Sequence, residues 1–435
     1  MSRVAVIGGG ISGIATAYYL QQHGAEVDLY ESGRSIGGRI GSESLDGRFV
    51  DFGGKNIGRK YSRFRDFVTA LGGLDFEYFG FNTSQVVGGR VISLNKEKSR
   101  LRNLLRVFSL AGPGGVMKLM PMIQAVRKDL EQGFLNTPYF NAIADRYDDR
   151  SLASFFPESC VDHLVRPVTV RMNGAEPDEC YPGNFGSNLA LVLDSYEQLE
   201  QGMQALLQRF TQYSKSVKFF IGHEVRVCSF SDEKIVLHYA AGSESHSAEY
   251  SKVVVALPAV QAAALFQSSI PELASLLDRV TYFPVAVGIA KYHDAVFRGV
   301  QRAMVFDNSC SISNAGAYGI NDLNLVRFTF SGQTARTVID SETDPEYAVS
   351  LAEDTIAPYF NINNNTREAF VYRYVSPGLC AYSPFHYKLL QQIEQQLKGF
   401  RGLVLTGDYF RGASIEACFK GAQEAIQKFM TGAGS

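Results

Sequence analysis

No stretch of eighteen or more uncharged apolar residues occurs in the 435 residues, so no transmembrane helix is expected. Net charge is nearly absent too: 42 basic side chains against 44 acidic ones leave −2, and nothing in that balance points to nucleic acid. The six cysteines (Cys160, Cys180, Cys228, Cys310, Cys380 and Cys418) include no C-x-x-C pair and have no histidine pattern nearby. That argues against a metal site or a disulfide framework and for buried thiols in a reducing compartment. Internal repeats, low-complexity linkers and long runs of one charge are also missing. A strand begins so soon after Met1 that no room is left for a signal peptide, and a cytoplasmic location is expected. What is present is an ordinary α/β composition, 46% hydrophobic and 20% charged, long enough for two or three domains and a large core.

Residues 3–7 read as a buried strand, 12–22 as a helix with Ile14, Ala15, Tyr18 and Leu20 on one side, and 26–30 as a second strand. Residues 40–52 read as a hairpin turning at Asp46-Gly47, a pair suited to a type I′ turn. From 100 to 132 the pattern is helical and apolar, broken at 111–115 by glycine and proline. Between 90 and 128, nine Lys or Arg stand against a single acid, Glu97. Residues 201–210 are amphipathic. Strands are expected at 217–228, 234–240, 252–257, 280–291, 325–330 and 403–406, with helices at 386–398 and 413–430. Dinucleotide-type strands at both ends and in the middle imply an α/β fold. Its Rossmann-type domain is discontinuous (1–85, 200–283 and 395–430), with a mixed α+β substrate domain inserted (86–199 and 284–394).

Gly8-Gly9-Gly10-Ile11-Ser12-Gly13 fits G-x-G-x-x-G between the first strand and the first helix. Gly8 makes the tight turn, Gly10 lets the backbone approach a pyrophosphate, and Gly13 lets helix and strand pack closely. The helix start at Ile11 and Ser12 offers free N–H groups to phosphate charge. Glu31, 18 residues after Gly13, ends the second strand, where a carboxylate accepts hydrogen bonds from ribose hydroxyls and repels a 2′-phosphate. These features indicate a dinucleotide without deciding which one.

Three further blocks accompany that motif: Gly37-Gly38-Arg39 with Asp51-Phe52-Gly53-Gly54; Val225-Arg226-Val227 with Val253-Val254-Val255-Ala256-Leu257-Pro258; and Thr406-Gly407-Asp408-Tyr409 leading into Gly412-Ala413-Ser414-Ile415-Glu416-Ala417. Together they span nearly the whole chain and resemble the flavin amine oxidase superfamily. That group includes amine and amino-acid oxidases, protoporphyrinogen oxidase and carotenoid-pathway desaturases. The resemblance implies non-covalent FAD. Gly37, Gly38 and Arg39 would lie against the pyrophosphate and flavin, Gly53 and Gly54 at the isoalloxazine face, Val225 and Ala256 on the adenine side, and Gly407 and Asp408 by the ribityl and pyrophosphate groups. The N-terminus of the last helix, at Ser414 and Ile415, would face the flavin edge that gains negative charge on reduction.

The departures from that pattern matter as well. Amine oxidases carry a lysine near the flavin N5, and the matching position here is Val287; Lys291 lies roughly 13 Å further along the strand. Where the family's aromatic cage has a tyrosine, this chain has Ser414. Both point toward the desaturase or porphyrinogen-oxidase side: hydride removal from a C–H bond to leave C=C or C=N, with reoxidation by O2. An amine or amino-acid oxidase releasing H2O2 is one alternative, and an FAD-binding protein without redox turnover is another. Lys55 and Asn56 follow the second glycine pair, and Tyr382 and His386 lie in a loop resembling one that approaches the flavin. Asn173, Tyr181 and Asn188 sit in a polar stretch suited to substrate contact. The basic segment 90–128 reads as a solvated surface, a membrane-surface patch or a carrier-docking face.

Overall fold

Val4, Ala5, Val6 and Ile7 are all buried, and their alternation explains why. Val4 and Val6 pack with Ile14, Leu20, Phe210 and Phe419, whereas Ala5 and Ile7 pack with Leu237, Phe266 and Leu390. A strand covered on both faces needs apolar side chains in both directions, as in a parallel sheet with helices on each side. The computed structural model describes residues 3–431 except 79–82, 95–99, 232–233, 298–301 and 363–365. In it, five strands form a parallel sheet in the order Val217–Ile221, Val27–Glu31, Val4–Ile7, Val253–Val255, Leu403–Leu405. Strand order therefore reverses between Val4–Ile7 and Val253–Val255, and a crevice at the C-terminal ends of such neighbours is where open α/β sheets bind ligands.

The second layer is a seven-stranded sheet in the order Arg367–Cys380, Tyr282–Tyr292, Leu325–Phe330, Asn314–Ala317, Ala303–Val305, Thr83–Val87, Arg90–Leu94. The hairpin Ser42–Leu45 with Arg48–Asp51 joins the two layers, because Leu45, Val50 and Phe52 pack on Val287, Ile289 and Val371. Its turn is as expected: Asp46 and Gly47 both have positive φ, 50° and 77°. The segment 217–228 is not one strand. Gly222, at φ 71°, turns the chain after Ile221, and His223–Ser231 starts a separate three-stranded antiparallel sheet. Val225 lies on that sheet, half-buried, where the pairing register shifts. The helix Arg100–Lys128 is interrupted at Gly112, whose φ of 65° is not helical, and Pro113 opens the next turn. It buries Ala111, Leu119, Met122 and Val126. No helix among the described residues is long and apolar enough to cross a membrane.

Candidate functional site

The turn after the first strand is built from glycines that answer to different constraints. Gly8 has φ 103°, and a Cβ on it would stand 2.8 Å from the Ala256 carbonyl oxygen across the strand-order reversal. A Cβ on Gly13 would lie 1.8 Å from the Gly8 oxygen, so helix and strand meet there in direct contact. At Gly10, φ is −71° and no atom lies within 4 Å of the Cβ position. Neither conformation nor packing by the chain requires glycine there; it borders open space. Gly10 also caps the helix Ile11–Gln22, with no side-chain cap and no acid in the first turn, so the N–H groups at Ile11 and Ser12 have no intrahelical acceptor. That is the donor set a phosphate needs, and the opening at Gly10 fits one. Glu31 flanks this turn. Its Oε2 accepts from Gly9 N at 2.8 Å and its Oε1 from Gly33 N at 2.6 Å, so it also holds the turn in shape.

Gly37 donates its N–H to the Gly9 carbonyl, and Gly38 lies against Gly10, which brings Arg39 beside the turn. Arg39 Nη1 pairs with Asp408 Oδ2 at 2.7 Å and donates to the Gly378 carbonyl at 2.8 Å. Tyr282 donates its hydroxyl to the other Asp408 oxygen at 2.6 Å. Beneath Arg39 lies Gly53, where a Cβ would stand 2.4 Å from the Arg39 oxygen; Gly54, at φ 71°, packs on Ile40. Gly407 is held close by the Tyr409 ring. Separate segments of the chain thus meet here, Gly38 against Gly10, Gly53 against Arg39, and the Arg39 side chain on Asp408.

A cavity of about 160 Å³ opens beside the start of the C-terminal helix Ile415–Thr431. Gly412, Ala413 and Ser414 form one wall, and Tyr61, Asn173, Asn188 and Tyr382 face them. Ser414 caps the helix by accepting from Ala417 N at 3.1 Å. Burial holds the Tyr61 phenol well above its usual range. Asn188 Nδ2 donates to Asn173 Oδ1 at 2.6 Å.

Of the residues singled out from the sequence, the structure gathers Tyr382, Ser414, Asn173 and Asn188 around this cavity. Others lie off its lining. His386 is 1% exposed, donates from Nε2 to the Tyr409 carbonyl at 2.7 Å, and is core, because the helix His386–Leu397 packs its first turn inward. Lys55 is buried over the Tyr318 ring, its ammonium 4.9 Å from the centroid. Burial, with Arg327 beside it, holds its pKa well below the usual lysine range. Asn56 is exposed, and Tyr181 is half-buried in the turn before Pro182–Asn184. Lys291 pairs with Asp46 and Glu368 at the surface, away from Val287.

Two residues went unnoticed in the sequence. Tyr61 precedes the helix Ser62–Ala70 and carries no motif. Arg373 lies directly opposite Val287 in the antiparallel register, with its guanidinium 4.8 Å from the Phe52 ring centroid. Its Nη1 stands 2.9 Å from where a Gly41 Cβ would be, so the guanidinium lies close against the backbone at Gly41.

The family model described as flavin containing amine oxidoreductase matches residues 11–427. The chain belongs to that family. Among curated relatives of the flavin amine oxidoreductases, it is 27% identical over 184 residues to mitochondrial protoporphyrinogen oxidase of Nicotiana tabacum, covering 40% of this chain and 33% of that protein. It is 49% identical over 55 residues to zeta-carotene desaturase of Zea mays, 13% of this chain and 9% of that one. These matches thus span a third or less of either relative. Cyclohexylamine oxidase from Brevibacterium oxydans has the same fold, with a TM-score of 0.76 at 17% identity over 100% of both chains. The flavin oxidoreductase family membership and the mixed α/β fold read from the sequence are therefore both met.

Proposed function

We propose that this flavin oxidoreductase binds FAD non-covalently and removes hydride from a C–H bond of a small organic molecule, leaving C=C or C=N, with O2 as the final acceptor. The observation that carries the reading is the open space at Gly10, bounded by an uncapped helix N-terminus, with Gly38 packed against Gly10 and the neighbouring Arg39 paired to Asp408. Gly8, Gly10, Ile11, Ser12 and Gly13 would hold the pyrophosphate, with Glu31 at the ribose. Gly38, Arg39, Gly53, Gly54, Gly407 and Asp408 would line the path to the flavin ring, Val225 and Ala256 the adenosine end, and Ser414 and Ile415 the ring's far edge. The discontinuous segments 1–85, 200–283 and 395–430 would form the cofactor domain, and 86–199 with 284–394 the substrate domain.

When bound, the flavin supplies a two-electron acceptor. The chain supplies position and field. The helix Ile415–Thr431 directs its positive end toward the cavity wall, favouring negative charge developing there. Attachment through sulfur is disfavoured, because burial pushes the Cys418 thiol up to about 12 and Cys380 well above its usual range, and the protonated thiol is a poor nucleophile. The tobacco and maize relatives, an oxidase of a porphyrinogen and a desaturase, favour C–C over C–N oxidation. The helix Arg100–Lys128 exposes Leu105, Phe108 and Met117 and ends on exposed Arg127 and Lys128, which supports peripheral contact with an anionic membrane surface by an otherwise cytoplasmic protein.

The test is an anaerobic screen of the holoenzyme against amines, amino acids and polycyclic or polyene compounds. Bleaching of the flavin by one of these classes, and recovery of colour on admitting O2, is the expected result. A flavin that no class bleaches would move the chain to the non-redox flavin proteins.

A further inference from the structure

The cavity beside Ser414 holds one polar atom that its charged neighbours leave unused. Arg63 pairs with Glu416, and Arg411 with Glu424. Asp194 accepts from the backbone N–H groups of Lys60 and Ser195, and Glu131 is bound by Lys420. Asn188, 4% exposed, stands apart from these pairs. The chain of amides behind it fixes its orientation. Asn173 Nδ2 lies 3.0 Å from the Cys380 carbonyl, which only accepts, so Asn173 must present its amino end there. Asn173 Oδ1 is left to accept from Asn188 Nδ2, whose other contact is the Met172 sulfur at 3.8 Å. Asn188 Oδ1 then has no partner among the described residues, in a side chain that lines the cavity.

We propose that Asn188 is a specificity-determining residue whose Oδ1 accepts a hydrogen bond from an uncharged N–H group of the substrate, with Asn173 as the positioning residue that prevents its amide from turning over. The donor is uncharged because an amide oxygen carries no charge to balance an ammonium, Glu416 and Glu131 are ion-paired, and both Asp194 oxygens already accept from backbone N–H groups. A site built to accept one hydrogen bond rejects an isostere that cannot donate it. The inference rests on the cavity being the substrate site of the proposed flavoenzyme.

The probes are pyrrole and furan, rings of nearly equal size that differ in an N–H donor against an oxygen, titrated into the holoenzyme by calorimetry. Pyrrole should bind about three- to tenfold more tightly than furan, the worth of one neutral hydrogen bond. In Asn188→Leu the ratio should fall to about one through weaker pyrrole binding. In Asn173→Ala, with Asn188 intact but free to rotate, the ratio should also shrink, a result that loss of packing alone would not give. Should Asn188→Leu fail to fold, Asn188→Ala, which also removes the acceptor with a smaller change in side-chain shape, should bring the ratio to about one, and a ratio unchanged in it overturns the proposal. Equal affinities in the wild type, no heat from either ring, or a preference that survives Asn188→Leu overturns the proposal. A preference unchanged in Asn173→Ala overturns the positioning role. Calorimetry reads ring binding whatever the cofactor does, so a colourless protein counts against the flavin reading, and equal affinities in a yellow one count against Asn188.

Discussion

Gly10 and Gly13 stand three positions apart on one turn and should respond oppositely to a side chain. Gly10→Val sets a Cβ, in extended backbone, where nothing of the protein lies within 4 Å, so the fold should persist while flavin is lost. Gly13→Ala drives a methyl to 1.8 Å from the Gly8 oxygen and should cost about 3 kcal/mol or more of stability. Thermal melts and flavin content of both variants separate the two effects; a yellow Gly10→Val protein would contradict the assignment. Val287 and Ser414 bear on substrate. Without a lysine at the first position and an aromatic wall at the second, benzylamine should reduce the flavin poorly, since orientation is worth several kcal/mol of barrier. Rapid bleaching by benzylamine in a stopped-flow trace would return the chain to the amine oxidases proper. His386 gives a prediction in pH. Burial pulls its imidazole down to about 4, so the folded protein binds fewer protons than the unfolded one between there and roughly 6.5. Its contribution is full above roughly pH 6.5 and is lost as pH falls toward about 4. His386→Gln should therefore flatten the acid side of the stability curve by up to about 3 kcal/mol relative to wild type, measured by urea titration; parallel curves would rule this out.

At the scale of elements, two helix starts are tied by one carboxylate. Glu416, in the first turn of Ile415–Thr431, accepts from the backbone N–H groups of Arg63 and Phe64 at 3.1 Å each, at the start of Ser62–Ala70. Arg63 adds its guanidinium at 3.2 Å. Glu416→Ala should cost about 3 kcal/mol by leaving the backbone N–H groups of Arg63 and Phe64 without their acceptor, and should loosen the cavity wall between Tyr61 and Ser414. Chemical denaturation measures the first, and a rise in ligand dissociation rate the second; a stability change below about 1 kcal/mol would refute the tie. Elements of this kind divide sharply in how far the sequence foretells them. Val4–Ile7, Ile11–Gln22 and the turn at Asp46-Gly47 announce themselves, because burial on both faces, a glycine motif and paired positive φ each demand particular residues. The strand Arg367–Cys380 does not: it mixes charge, proline and glycine, and its pairing with Tyr282–Tyr292 is non-local. Arg373 was invisible for that reason. Asn173 and Asn188 were legible as polar residues in a turn-rich stretch, but only the Cys380 carbonyl, 207 residues beyond Asn173, sets their order. His386 misled because a histidine at a helix start looks the same in sequence whether it faces a cavity or the core.

For the molecule as a whole, the proposed FAD would reach, without a covalent bond, from the opening at Gly10 toward the cavity at Ser414. The three chain segments that build the parallel sheet come together only when folded, so cofactor loss and loss of that sheet should be linked. The measurement that bears on this most directly is the visible spectrum and cofactor content of the purified holoprotein before and after denaturation. The prediction is a yellow protein that releases its flavin on unfolding, with the released compound identified as FAD at close to one per chain. A protein that stays colourless after incubation with FAD, or whose flavin remains on the denatured polypeptide, would contradict the account.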